Sequence, residues 1–519
     1  MDANVNIKFL GGLATNDNPT GSCILLTIKQ EKQIRRVLVD VGLIQASNNL
    51  LEENKEILLE FEPKSIDAIV LTHSHIDHIG RLPFLVKHGF SGRIFCTKTT
   101  NDLLSVMLED SAKIQVAETN RLRRTIKNNS KNKKNEKKCQ RSKLTLGSYD
   151  KKIEKERLKK GAQIKIEPLY TMDDVEKTCD LVKNDGYEYR VWIKLAKNIS
   201  LKFYPSGHVL GGAICAIRIK TKTKMIYFGF SGDLGRRDGI ILPPPEIVEE
   251  PIDYWFIEST YGGRVHPDRT DEIFKLLATV KMAIAKKGKI IIPSFALERT
   301  QEIIYLLSYY IQNREIPNIP IYLDSPLASK ITNIFSKCWL SGMFLSQSKL
   351  LFNPFNPQEN KSLNIIENYE DSEALVSANG PYIVIAGSGM CDAGRVREHL
   401  RYGLNKPKTT VCLVGYMAKN SLGRKLKDGL KIVKMNKKEV NIKANIVSFD
   451  SFSAHADSPY LVAYTLAILA RSHNKKIFIV HGEDDSANNL KDDLIQRSSN
   501  KRLGASIVIP GINFQETIK

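Results

Sequence analysis

Apolar positions in the first hundred residues come in short runs, each closed by glycine or a polar cluster. Residues 5–10, 23–28 and 36–41 read as strands joined by Gly-rich turns, and the third ends at Asp40 beside Gly42. Residues 67–71 read as a buried strand. His73, His75, Asp77 and His78 follow it within six positions, before the chain turns at Gly80 toward a helix near Pro83. Residues 93–97 read as another strand. Leu103, Leu104, Met107 and Leu108 recur at helical spacing and predict a helix over 99–119. Further on, strands at 199–203, 225–230 and 254–257 end in Ser206-Gly207-His208, Ser231-Gly232-Asp233 and Glu258-Ser259-Thr260.

From about 263 to 444 the rhythm becomes strand then helix. Residues 290–292, 319–323 and 382–385 each lead through a polar loop into a helix, the grammar of a parallel sheet in an α/β unit. The tail returns to strands that end in chemistry: 444–449 precedes His455, and 476–480 precedes His481. Between 121 and 160 the pattern lapses into Lys, Arg and Asn with few apolar residues, which predicts a mobile or weakly helical insertion.

Composition narrows the class. A chain of 519 residues exceeds one ordinary core and predicts two to four domains. Lys and Arg outnumber Asp and Glu by 77 to 57, a net +20 that attracts polyanions, nucleic acid above all. The first residues carry no secretory pattern, and the most lipid-like run, 461–470, is too short to span a bilayer. Eight cysteines without a CxxC pair fit reduced packing residues. A cytoplasmic protein with no membrane partner is the expectation.

The candidate chemistry lies at strand ends. Four metal-competent side chains crowd residues 73–78, and one zinc takes about four ligands that local geometry rarely supplies from so short a stretch. The spacing therefore places His73 and His75 on one metal and Asp77 and His78 on a second. His208, Asp233 and Glu258 stand at further strand exits, and exits on one sheet edge converge. Asp40 reads as a cap, a turn former or a carboxylate behind the ligands. Gly387-Ser388-Gly389, read as a turn at a helix start, can bind phosphate through backbone N–H groups, although a tight turn needs glycine anyway. Ser388, Gly389 and Arg299 are the candidate substrate contacts. His88, His266, His399 and His473 read as structural.

These motifs together resemble metallo-β-lactamase-fold nucleases carrying the β-CASP insert, and look most like prokaryotic relatives of the cleavage-and-polyadenylation endonuclease subunit. Asp40, His73-x-His75-x-Asp77-His78, Ser206-Gly207-His208 and Ser231-Gly232-Asp233 carry the resemblance, with Glu258 in Glu-Ser-Thr-Tyr-Gly, His455 in Phe-Ser-Ala-His-Ala-Asp and His481 in Val-His-Gly-Glu. The resemblance implies an αββα sandwich interrupted by an α/β β-CASP cap. Its first part is 1–262, with the basic insertion at about 121–160; the cap is 263–444, and 445–519 completes the sandwich. The resemblance also implies two zinc ions per chain. His73, His75 and His208 hold one; Asp77, His78 and His481 hold the other; Asp233 bridges. His455 contacts the scissile phosphate, Glu258 orients it, and Asp40 supports a ligand. The implied reaction is hydrolysis of single-stranded RNA by a dinuclear zinc-activated hydroxide, leaving 5′-phosphate and 3′-hydroxyl ends. Alternatives are a DNA nuclease of the same fold and a non-catalytic nucleic-acid-binding subunit. Endonuclease against 5′ to 3′ exonuclease is left open, as is the oligomeric state, a homodimer included.

Overall fold

The computed structural model describes residues 4–12, 21–45, 50–132, 167–182, 184–345, 349–418, 420–436, 438–472, 476–500 and 504–518. Residues 133–160 of the basic segment, and His473, lie outside the described residues.

Two sheets form the core of the first unit. Across its width one runs Gln515–Ile518, Asn4–Gly11, Cys23–Gln30, Gln33–Val39, Ala68–Val70 and Arg93–Phe95. The other runs Ser506–Val508, Lys476–Val480, Tyr254–Glu258, Met225–Phe230, Ala213–Lys220, Ile199–Pro205 and Ile193–Ala196. Strict alternation in Asn4–Gly11 turns Val5, Ile7 and Phe9 to the interior. There Phe9 meets Phe256 and Phe478 of the facing sheet, with ring centroids 5.8 and 5.2 Å apart. Helices cover both outer faces. Leu82–Lys87, Lys98–Asn132 and Met172–Cys179 lie on the first sheet; Ser458–Leu469 and Asp484–Asn500 lie on the second. The layers are αββα.

The helix predicted at 99–119 runs over Lys98–Asn132. No Gly or Pro interrupts that stretch, so nothing local stops the helix, and basic positions 121–132 form its final turns.

Between the two parts of the sandwich lies a second sheet system, all parallel, in the order Leu363–Ile365, Ile321–Asp324, Tyr382–Ala386, Lys289–Pro293, Thr410–Leu413, Asn445–Ser448. Its central strands, Lys-Ile-Ile-Ile-Pro and Tyr-Ile-Val-Ile-Ala, are buried at every position, as a sheet covered on both faces requires. Arg269–Ala285, Arg299–Gln312 and Pro326–Cys338 pack on one face, Val396–Gly403 and Leu422–Lys427 on the other. One correction concerns the boundary at 444. Asn445–Ser448 pairs in register with Thr410–Leu413, so this strand belongs to the middle sheet and the sandwich resumes after it.

Candidate metal centre and active site

Six strands deliver the site residues to one edge. Gln33–Val39 and Ala68–Val70 run parallel and open into Asp40 and His73. In the facing sheet Met225–Phe230, Tyr254–Glu258 and Lys476–Val480 are parallel. Ile199–Pro205 takes the same sense because the antiparallel strand Ala213–Lys220 lies between it and Met225–Phe230. The sequence reading missed that intervening strand and treated the three exits as consecutive. The exits themselves hold: His208, Asp233, Glu258 and His481 all leave at the edge that carries the His73 loop.

The side chains gather into two sets that share Asp233. His75 Nδ1 lies 3.1 Å from His73 Nε2 and 3.3 Å from His208 Nε2. Asp233 Oδ2 lies 3.6 Å from His73 Nε2 and 3.4 Å from His208 Nε2. On the other side, His78 Nε2 and His481 Nε2 are 3.3 Å apart, and Asp77 Oδ2 is 3.5 Å from His481 Nε2. Asp233 Oδ1 lies 3.3 Å from His78 Nε2 and 3.2 Å from His481 Nδ1. A tetrahedron with metal–ligand bonds of about 2.0–2.1 Å has edges of roughly 3.3 Å. The donor separations fit that edge for His73, His75, His208 and Asp233; on the other side Asp77 and His78 meet His481 at Nε2, whereas Asp233 approaches it at Nδ1.

Electrostatics agree with the geometry. Burial first, then neighbouring imidazoles, push His73 and His208 well below the usual histidine range, and burial takes His75 to about 4. These rings are neutral, the form that binds metal. Burial alone would raise Asp77 and Asp233, but His481 and the surrounding imidazoles hold both carboxylates ionised and low. Burial likewise disfavours a charge on His78 and His481, yet Asp233 outweighs it, with Asp40 adding at His78 and Asp77 at His481, and both rings rise. A field that favours a proton there also favours a divalent cation.

Asp40 stands behind the ligands. It is 2% exposed, and its left-handed backbone, φ 58°, swings the carboxylate inward. Oδ1 accepts from Thr72 N and Oδ2 from Thr72 Oγ1 and His78 Nδ1, each at 2.8 Å. Fixing Nδ1 presents His78 Nε2 to the metal set.

His455 is held from Glu258. Its Nδ1 lies 3.3 Å from both Glu258 oxygens, and those oxygens accept from Leu234 N at 2.6 Å and Thr260 N at 3.3 Å. Burial lowers the imidazole, but the Glu258 charge and hydrogen bond, then Asp233, carry it up to about 9. Nδ1 is thus committed to Glu258. Three residues to which the sequence reading assigned no part in the site brace this loop. Arg236 donates to Ser451 O at 2.8 Å, Arg269 reaches Ser453 O at 3.4 Å, and His266 Nε2 bonds His455 O at 3.0 Å. His266, read as structural, holds the backbone of His455; no local motif announces that contact.

The candidate substrate contacts divide. Ser388 is half-buried and Gly389 buried, at the carboxyl end of Tyr382–Ala386. The helix after them starts only at Val396, so their turn is not a helix start and the helix-terminus argument for phosphate does not apply. Arg299 is 5% exposed and its guanidinium pairs with Glu302, one helical turn on. That burial removes it as a substrate contact. Its neighbour Glu298 was not foreseen. Buried and left-handed at φ 69°, it crosses to the sandwich, where Oε2 accepts from Leu210 N at 3.0 Å, two residues beyond His208.

Comparison with known proteins agrees with this architecture. Residues 21–101 match the metallo-beta-lactamase superfamily, 300–426 the Beta-Casp domain, and 439–510 the Zn-dependent metallo-hydrolase RNA specificity domain. The chain is 30% identical over 456 residues to the Thermus thermophilus protein named ribonuclease TTHA0252, covering 87% of this chain and 88% of that one. It is 28% identical to an RNase J-like protein of Methanocaldococcus jannaschii, over 88% of this chain and 89% of that protein. To cleavage and polyadenylation specificity factor subunit 3 of Dictyostelium discoideum it is 26% identical, over 92% of this chain and 53% of that protein. With three domain families matched in order around one histidine and aspartate centre, this chain belongs to the β-CASP family of metallo-β-lactamase-fold nucleases.

Proposed function

We propose that the protein is a zinc-dependent ribonuclease that hydrolyses single-stranded RNA with two zinc ions per chain, leaving 5′-phosphate and 3′-hydroxyl ends. The observation that carries the dinuclear part is Asp233, whose two oxygens face one ligand set each. His73, His75 and His208 would hold one ion, and Asp77, His78 and His481 the other. Zinc, when bound, supplies Lewis acidity toward a phosphate oxygen and a water of lowered pKa. The chain's own residues do the rest. Asp40 orients His78, Glu258 orients His455, and His455 Nε2 carries the proton for the departing 3′ oxygen. Ser388 and Gly389, at the carboxyl edge of the cap sheet, would line the path of the strand, Ser388 through its half-buried side chain.

Support for RNA comes from the RNA specificity domain matched at 439–510 and from relatives named as ribonucleases. The net +20 charge suits a polyanion. Every ligand position is filled, which argues against a non-catalytic subunit. The decisive experiment gives the purified protein matched RNA and DNA strands, end-labelled and circular, with and without chelator, and measures its zinc content. Two zincs with chelator-sensitive cleavage of RNA support the proposal. One metal per chain, or preference for DNA, refutes it. Cleavage of circular RNA identifies an endonuclease.

A further inference from the structure

The cap sheet has a carboxyl edge that the metal chemistry leaves unused. Its strand order reverses between Lys289–Pro293 and Tyr382–Ala386. From the first the chain crosses to Ile321–Asp324, and from the second it crosses back to Thr410–Leu413. Loops leaving such neighbours diverge and open a crevice, the usual ligand position in an open parallel sheet. Phe295 stands there with 39% of its surface exposed. One edge of its ring rests on bare backbone from the two adjoining strand ends. A Cβ on Gly389 would fall 2.7 Å from Phe295 Cδ2, and one on Gly415 would fall 3.1 Å from Cε2. The glycines make the seat, and 39% of the residue's surface stays open to solvent above it.

Chain neighbours of this seat reach the loops that carry the candidate site. Glu298, three residues on, bonds Leu210 of the His208 loop, and Arg299 lies 5.8 Å over the ring of Phe452, three residues before His455. Tyr416, next to Gly415, donates its hydroxyl to Glu483 at 3.3 Å, two residues past His481. Glu483 in turn pairs with Arg264 at 3.0 Å. Arg264 lies 5.8 Å over Tyr261, whose ring is 6.1 Å from that of His455.

We propose that Phe295 is a stacking platform for one unpaired base of the strand this nuclease cuts. A phosphate needs charge or donors, and the metal centre provides for it; a flat, half-open aromatic ring offers nothing to a phosphate and a π face to any base. The inference rests on the single-stranded RNA reading of the substrate. It predicts tolerance of sequence at that nucleotide, because every base has a π face.

The test compares kcat/KM of the zinc-loaded parent, Phe295→Leu and Phe295→Tyr on an unstructured RNA oligomer and on a series of the same oligomers, each lacking one base. Leucine fills the seat without a π face. Expected on the intact strand is a loss of about tenfold for Phe295→Leu and parent-like values for Phe295→Tyr. At one base-free position the parent falls by the same factor, while Phe295→Leu treats intact and base-free strands alike. Losses that multiply at every position would overturn the proposal, as would a Tyr variant that falls with Leu. A parent that cuts only DNA would refute the RNA reading instead, and the same scan on DNA would still decide the platform.

Discussion

Replacing Asp40 by asparagine changes one atom in shape and reverses the chemistry behind His78. The backbone N–H of Thr72 donates to Oδ1, so the amide must keep its oxygen there. Its NH2 then faces Thr72 Oγ1 and His78 Nδ1, where the carboxylate had accepted two bonds at 2.8 Å. Turning the amide over would set two donors against each other at Thr72. With an NH2 opposite, His78 Nδ1 becomes the acceptor and the ring proton moves to Nε2, the nitrogen that faces Asp233 and His481. A protonated nitrogen cannot ligate. Loss of such a supporting partner weakens metal binding by about 10–100-fold, roughly 1.4–2.7 kcal/mol. The assay is zinc titration against a competing chelator, with Tm as control. Expected is one site of parent affinity and one weakened by that factor, with little change in Tm. Two sites of parent affinity in Asp40→Asn would refute the tautomer argument.

Other outcomes follow from the same geometry. His455→Ala keeps both metals and lowers cleavage by ~10²–10⁴-fold; loss of a zinc instead would assign His455 as a ligand. Glu258→Gln falls in the same direction and less steeply, measured as kcat at saturating RNA. In the cap, burial raises Asp324, but bonds from His399 at 2.7 Å, Ser372 at 2.7 Å and Arg395 at 2.7 Å more than reverse this and hold its carboxyl low. Its stabilising contribution is complete above the unfolded carboxylate value of about 4 and is lost as pH falls through the lower folded value. Asp324→Asn should therefore flatten the acid limb of Tm against pH; an unchanged limb would show that the bonds do not matter. The segment 121–160 carries 17 basic and four acidic residues. Replacing 133–160 by a Gly-Ser loop should flatten the salt dependence of RNA binding, by roughly 0.7 in log–log slope for each phosphate no longer neutralised. An unchanged slope would leave those lysines without a role in binding.

What was legible in the sequence was local. An apolar run that stops at His73, His208, Asp233 or His481 marks both a strand and the side chain at its exit, because strand and ligand are neighbours in the chain. Partners far apart in sequence left no such mark. Gln515–Ile518 completes the sheet beside Asn4–Gly11, and Asn445–Ser448 joins the cap sheet rather than the sandwich, through pairings that no window of residues encodes. Ala213–Lys220 went unseen because Ile, Cys and Ala at buried positions on both faces hide the alternation of a strand. Arg299 stood as a candidate substrate contact; it is buried and paired with Glu302, one helical turn later. Glu298 and His266 act only through contacts across the fold.

The order in which the chain is made gives the Glu258–His455 contact a further meaning. Glu258 closes the last strand before the chain departs into the cap, and His455 comes after the cap's final strand, Asn445–Ser448. His481 and the strand Gln515–Ile518, which covers the free side of Asn4–Gly11, come later still. A chain still emerging from the ribosome can bring its first histidines together while His455 and His481 have yet to be translated. In a nuclease built in this order the candidate site cannot close until the last part of the chain is made. It is completed only when the cap has folded and its last residues have docked.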